Sequence, residues 1–296
     1  MTYYQFVQTV ENKIKEAVKD NIIVCVYTAE KNNGTIRKGI MLTEKGINIA
    51  PTIYLEEYYE NYLKGSSIDC IVADILRLYQ EVRFQRSWRD ERISRYNQIK
   101  GKIVYRLINR EKNKNMLHGM PYIPYLDLAI VFCVLLEITD YGTATMTVRN
   151  EHLKMWDVSK DAVYQEAKKN TKRLLPYEFT TMSAVIEELT GIEEPEERDG
   201  MFVLSNKIRS YGAAAVLYPE RLKAIGEYLQ ENYFVLPSSI HEMIIVREQE
   251  GFTLEELSSI VSEINRIQVD PEEVLADHAY YYDREKGTLY FSEKMC

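Results

Sequence analysis

Histidine, tryptophan and cysteine are scarce in this chain of 296 residues, which holds four, two and four of them. The cysteines, Cys25, Cys70, Cys133 and Cys296, are widely spaced with no C-x-x-C pair. Neither a disulfide framework nor a zinc knuckle is implied, and a reducing cytosol suits them. In His241-Glu242-Met243-Ile244-Ile245 an isoleucine stands where a second histidine would complete H-E-x-x-H, which removes the zinc-hydrolase pattern. None of the thirteen glycines forms a phosphate-cradling G-x-x-x-x-G-K or G-x-G-x-x-G, and no G-x-S-x-G nucleophile elbow occurs. No metal and no cofactor is therefore expected. Long hydrophobic runs are also missing: Leu128 to Leu136, the longest, is far below the roughly 20 residues that span a bilayer as a helix. The start, Met1-Thr2-Tyr3-Tyr4-Gln5, has neither the basic stretch nor the apolar run of a secretory signal. The expectation is a cytoplasmic protein with no membrane association.

What is present is ordinary globular composition, with 46% apolar and 28% charged residues. The length suits one large or two ordinary domains and lets about 75% of the unfolded surface be buried. Charge is segregated. From Arg77 to Lys114 twelve Lys and Arg face four acidic residues, giving +8 and leaving −16 for the rest of a chain whose net charge is −8. Arg83, Arg86, Arg89, Arg92 and Arg95 interleave with Trp88 and Tyr96, a mixture able to grip phosphates and stack on bases. A three-residue step drifts about 60° per repeat around a helix, so these arginines make no single stripe. A solvated helix with internal ion pairs is the simpler reading, and the acidic remainder of the chain disfavours nucleic acid as a partner.

Patterning along the chain predicts an α+β protein. Residues 1–96 read as a smaller module of helix, hairpin and two helices, and residues 97–296 as an α+β domain with a mixed or largely antiparallel sheet and flanking helices. In the first module Phe6, Val7, Val10 and Ile14 share a helical stripe. Asn32-Asn33-Gly34 between two apolar runs signals a hairpin, and Gly39 suggests a bulge in its second strand. Tyr58, Tyr59 and Tyr62 fall on one helical face, which assigns them to a core before an aromatic cage. Further on, Leu128 to Ile138 reads as a strand or connector, and its apolar run Leu128 to Leu136 as a strand buried on both faces. Ser66 or Ser67, Asn150, Ser159, Thr253 with Glu256, and Asp270 with Pro271 mark helix starts. Ala213 to Leu217 reads as a short strand, and His278 to Phe291 as a terminal hairpin.

The stretch Phe234 to Val246 sets a polar cluster, Ser238-Ser239-Ile240-His241-Glu242, between two β-branched runs that read as central strands. If the whole stretch is extended, Ser239 and His241 share a face. Candidate catalytic residues follow: Ser238 or Ser239 as nucleophile, His241 as base, and Glu242 or Asp277 as orienting carboxylate, with His278 as a base arriving from the final hairpin. A hydrogen-bonded structural pair at a strand end explains the same residues, because buried polar groups need partners.

Three boxes carry a resemblance. Asn48-Ile49-Ala50-Pro51-Thr52-Ile53-Tyr54-Leu55, Leu236-Pro237-Ser238-Ser239-Ile240-His241-Glu242 and Asp270-Pro271-Glu272-Glu273-Val274-Leu275-Ala276-Asp277-His278 resemble, in order, domain-of-unknown-function family 5688. Ala50 stands where a serine is usual. The resemblance implies a cytosolic protein of bacterial origin, with a mobile element as one source, and carries no catalytic residues. The expected function is thus a non-catalytic binding or accessory protein with a protein or small-molecule partner, and the alternatives are a Ser/His/acid hydrolase and weak nucleic-acid binding through Arg83 to Arg95.

Overall fold

The computed structural model describes residues 1–46, 50–83, 93–139, 142–192 and 200–291. Contacts group the chain into two units, Met1–Gln98 with Glu137–Ala144, and Ile99–Leu136 with Thr145–Cys296. Each is described by itself. Every strand pairing described below is antiparallel, and the sheets are flanked by helices, so the protein is α+β.

In the first unit α1 (Tyr3–Ala17) begins at Thr2, whose hydroxyl accepts from the Gln5 amide while the Gln5 side chain accepts from the Thr2 amide. That reciprocal cap satisfies two otherwise orphaned donors. Helix α1 buries Phe6, Val7, Val10 and Ile14 against β1 (Ile22–Glu30), β2 (Ile36–Glu44), β3 (Thr52–Tyr54) and α3 (Ile68–Val82) in one core. The β1–β2 turn has Asn33 and Gly34 in left-handed conformation, as an Asn-Gly hairpin requires. Gly39 makes no bulge, since the ladder runs through Tyr27↔Gly39 without a break. It serves close approach instead: a Cβ there would meet Thr52 Cγ2 at 2.3 Å, so glycine is what lets β3 lie against β2. Helix α2 (Glu56–Leu63) lays its tyrosines on this core, with the Tyr59 ring centroid 5.1 Å from Tyr3 and 5.2 Å from Phe6. The tyrosine face is a packing face, although Leu63 is left exposed.

The second unit holds two sheets. The first has the order β4 (Ile103–Asn109), β6 (Leu128–Thr139), β5 (Tyr122–Tyr125), and β7 (Gly142–Thr147) also pairs with β6, the end of β6 from Glu137 and the start of β7 to Ala144 being grouped with the first unit. Leu128 to Leu135 are all buried, which explains the unbroken apolar run: both faces of β6 are covered. After α4 (Asn150–Trp156), α5 (Lys160–Leu174) packs on β4. Buried Thr171 accepts from the Tyr105 amide at 3.1 Å, and Asn170 donates to the Ile103 carbonyl at 3.0 Å, so the two polar residues on the buried side of α5 are satisfied by β4 backbone.

The second sheet is built from β8 (Tyr177–Thr181), β9 (Met201–Asn206), β10 (Tyr233–Leu236), β11 (Met243–Arg247), β12 (Tyr280–Asp283) and β13 (Thr288–Tyr290) in the order β13-β12-β10-β11-β9-β8. Helices α6 (Met182–Thr190) and α7 (Arg221–Leu229) lie along its connections, and α8 (Leu254–Ile267), started by the Thr253–Glu256 capping box, covers Phe234, Leu236 and Val246. Strands β10 and β11 are the middle pair, as their apolar composition predicted. Three local expectations are corrected. Gly212–Leu217 is a 3-10 helix and not a strand, because a buried run of small residues suits either period. Asp270 to Glu273 closes as a turn, with the Glu273 amide on the Asp270 carbonyl at 2.8 Å, and no helix follows. Asn150 is the first residue of α4 and Arg149 its cap.

Candidate functional site

Residues 237–242 connect β10 to β11 as a loop, so the alternating faces expected of an extended segment do not apply. Instead the loop is pinned by its backbone. The Ile240 amide donates to the Glu273 carbonyl at 2.8 Å, the Ile240 carbonyl accepts from the Ala213 amide at 3.3 Å, and the Ser205 hydroxyl donates to the His241 carbonyl at 2.7 Å. The Ser239 amide closes the loop on the Glu242 carbonyl at 3.3 Å, and the Ser239 hydroxyl accepts from the His241 amide at 3.0 Å.

A second loop leans on the first. Asn206, buried at the end of β9, accepts from the amides of Ile208 and Ser210 and donates to the Ser210 carbonyl, tying 206–210 into a tight turn. Arg209 and Tyr211 are both held at positive φ, 47° and 54°, which a non-glycine residue adopts at a cost met by its surroundings. Gly212 then passes so close to the neighbouring chain that a Cβ would meet Ser205 Oγ at 2.1 Å and the His241 carbonyl oxygen at 2.4 Å. This contact admits glycine only.

The consequence is the environment of His241. The Tyr211 amide donates to Nδ1 at 3.2 Å, which places the ring proton on Nε2, and Nε2 faces Glu273 Oε1 at 3.3 Å. The Tyr211 ring stacks on the imidazole at 5.7 Å and 26°, and the Arg106 guanidinium sits 4.9 Å from the centroid of the Tyr211 ring. Both His241 nitrogens are thus committed to partners other than serine. The Ser239 hydroxyl is used as a backbone acceptor, and the Ser238 hydroxyl lies 3.5 Å from Glu242 Oε1, at the limit of a hydrogen bond.

Asp277 and His278 belong to a separate network. His278 Nδ1 faces the Ala279 carbonyl at 3.2 Å and Nε2 faces Asp127 Oδ2 at 3.0 Å, while Tyr280 donates to Asp127 Oδ1 at 2.7 Å. Both imidazole nitrogens point at oxygen acceptors, an arrangement that the protonated ring fits. Burial pulls the His278 pKa down, but the hydrogen bond and charge of Asp127 and the Ala279 carbonyl outweigh it and leave it raised. Burial likewise pushes Asp127 up, and the bonds from His278 and Tyr280 bring it below its ordinary value. Burial, reinforced by Asp127, holds the Tyr280 phenol well above its usual range. Asp277 takes the Lys112 ammonium at 2.7 Å and the Asn265 amide at 3.0 Å. Burial raises its pKa, yet these two bonds lower it overall.

The structure therefore brings Ser239, His241 and Glu242 into one loop and engages Asp277 and His278 elsewhere. Sequence reasoning did not single out Glu273, Tyr211, Arg106 or Asp127. An arginine inside the buried strand Ile103–Asn109 was a usable signal, as was Tyr211-Gly212 ahead of the five small or apolar residues Ala213 to Leu217; Glu273 and Asp127 had none. Of the five arginines, Arg83 pairs with Glu44 at 2.7 Å, a carboxylate also bonded by Tyr79, and Arg95 is exposed. Arg86, Arg89 and Arg92 lie outside the described residues. Among the described residues no three His, Cys, Asp or Glu side chains form a group able to hold a metal ion. No helix among them is long and apolar enough to cross a membrane.

The model of a family of unknown function, DUF5688, matches residues 3–284. The chain belongs to this family. The match spans all three sequence boxes and both units. No curated protein and no solved structure matches the chain.

Proposed function

We propose that this DUF5688 protein is a non-catalytic binding or accessory protein of the bacterial cytoplasm. The observation that carries the reading is the commitment of His241: its Nδ1 accepts from the Tyr211 amide and its Nε2 serves Glu273, so a neighbouring serine hydroxyl has no ring nitrogen to receive its proton. The strained loop at Arg209 and Tyr211 and the close approach at Gly212 act in the same direction, since they hold the imidazole against Tyr211. A rigid, half-buried polar surface with an aromatic ring and an arginine behind it suits recognition of a partner. The test is a panel of ester, amide and phosphodiester substrates offered to the wild type and to His241→Ala. Absence of turnover supports the proposal. Turnover that disappears in a folded His241→Ala variant would establish the hydrolase alternative in its place.

A further inference from the structure

We propose that the groove walled by Arg110, Lys114, His118, Leu117, Met120 and Tyr122 is a binding site for a free nucleotide. The groove lies within the second unit and has a volume of about 730 Å³, inside the range of about 300–1,000 Å³ that holds small-molecule ligands. Its charge is opposite to that of the whole protein. Arg110 and Lys114 stand at the downstream end of the segregated basic segment, and Glu111, the groove's one carboxylate, is ion-paired to Lys114. Arg110 is half-buried, and its guanidinium has no carboxylate partner among the described residues. A half-buried guanidinium without a carboxylate is suited to a phosphate, which its planar fork matches with two parallel hydrogen bonds.

The remaining lining is of another kind. Leu117 and Met120 are buried, and Tyr122 is half-buried beside them, a surface on which a planar ring can stack. Cations and an apolar, aromatic wall in one cavity fit a ligand with both an anionic and a planar part. The wall is held in place before any ligand arrives. Buried Asn109 accepts from the Lys112 amide at 2.8 Å and donates to the Leu275 carbonyl at 2.9 Å, while Asn113 donates to the Asn109 carbonyl at 2.7 Å. On the far side the Asn150 amide donates to the Gly119 carbonyl at 3.0 Å and its side chain to the His118 carbonyl at 3.1 Å. Such preorganisation lowers the ordering cost of binding.

This inference rests on the binding reading and extends it to a ligand class. It is tested by titrating ADP, GDP, CDP, UDP, AMP, inorganic pyrophosphate and adenosine into the full chain at low salt by calorimetry. The same titrations are run with Arg110→Gln, Lys114→Ala and Tyr122→Leu, with melting curves to establish folding. At least one nucleoside diphosphate is expected to bind with Kd at or below about 1 mM. Arg110→Gln should weaken the diphosphate and pyrophosphate tenfold or more, whereas Tyr122→Leu should weaken the diphosphate but leave pyrophosphate unchanged. Lack of saturable binding by every nucleotide overturns the proposal, and so do equal affinities in the wild type and in folded Arg110→Gln and Lys114→Ala. A single-stranded oligonucleotide that binds more tightly than any free nucleotide would reassign the groove to nucleic acid. Phosphate release in the same samples would instead count against the non-catalytic reading, while the affinity loss in Arg110→Gln would still decide the groove.

Discussion

His241 and His278 are both half-buried, both within 3.3 Å of a carboxylate, and differ in one atom. At Nδ1, His241 receives a backbone N–H, whereas His278 faces a backbone carbonyl. The first partner fixes a neutral tautomer with its proton directed at Glu273. The second suits a ring that carries both protons, and the raised pKa of His278 follows. An acid beside a histidine is thus not enough to define its chemistry. The group on the other nitrogen decides whether the pair is a neutral hydrogen bond or an ion pair. The two sites also differ in what they hold. Around His278 the partners come from the β5–β6 corner and the final hairpin, and around His241 from loops pressed together by Gly212.

The contrast can be broken most forcefully at Asp127. Asp127→Ala leaves the His278 imidazolium and the Tyr280 hydroxyl without their partner in a half-buried place, and should cost about 3–5 kcal/mol in chemical denaturation. A smaller loss would mean that the ring simply gives up its proton. Next comes Gly212→Ala, where the added methyl meets backbone and a hydroxyl. Overpacking of this kind should remove about 1–3 kcal/mol, and the Tyr211–His241 stack should be lost with it, as the His241 ring resonances would report. An unaltered spectrum would disprove the claim that this contact positions the imidazole.

pH sharpens the comparison further. A raised imidazole pKa stabilises fully below its unfolded value of about 6.5, and the benefit is lost as pH rises through the native value. A lowered carboxyl pKa stabilises above about 3.9 in the unfolded chain, and that benefit is lost as pH falls through the native value. The stability gap between wild type and His278→Phe, which keeps the ring stacked on Phe291, should therefore be widest between about pH 4 and 6.5 and should narrow above it. A gap that widens above pH 7 would show the sign to be wrong. His241→Ala should be milder, about 1 kcal/mol, because the Tyr211 amide it abandons lies beside a side chain that is 30% exposed and can be rehydrated. The smallest effect belongs to Ser238→Ala, under about 0.5 kcal/mol, since its hydroxyl is at the limit of bonding distance from Glu242. Thermal melts of these two variants beside Ser239→Ala, which removes the acceptor of the His241 amide, would rank the loop's hydroxyls.

Much of the fold could be read from residues a few positions apart. The Thr253–Glu256 box, the Ser67 and Ser159 caps, the Asn33-Gly34 turn and the apolar stripe of α1 are all interactions completed within one helical turn or one hairpin, so their sequence spacing contains the geometry. The unbroken run of β6 likewise announced burial on both faces. The sites were legible only as a list of residue types. Ser239 and His241 are two apart in sequence, but the loop that joins them turns the hydroxyl toward a backbone amide and the imidazole toward Tyr211 and Glu273, each about 30 residues away. His278 finds Asp127 across 151 positions. What a polar side chain does depends on which donor or acceptor reaches it within about 3 Å, and among partners so distant in the chain that choice is made by sheet order and loop packing. Composition and periodicity determined by themselves which segments are buried and where the helices capped by Ser67, Ser159 and Thr253 begin, whereas Asp270 and Asn150 show that a capping residue type alone does not place a helix start. Only the tertiary structure decided that one histidine would accept a backbone N–H at Nδ1 and the other face an oxygen acceptor at each ring nitrogen, because the deciding atom in each case is a backbone group oriented by the surrounding fold.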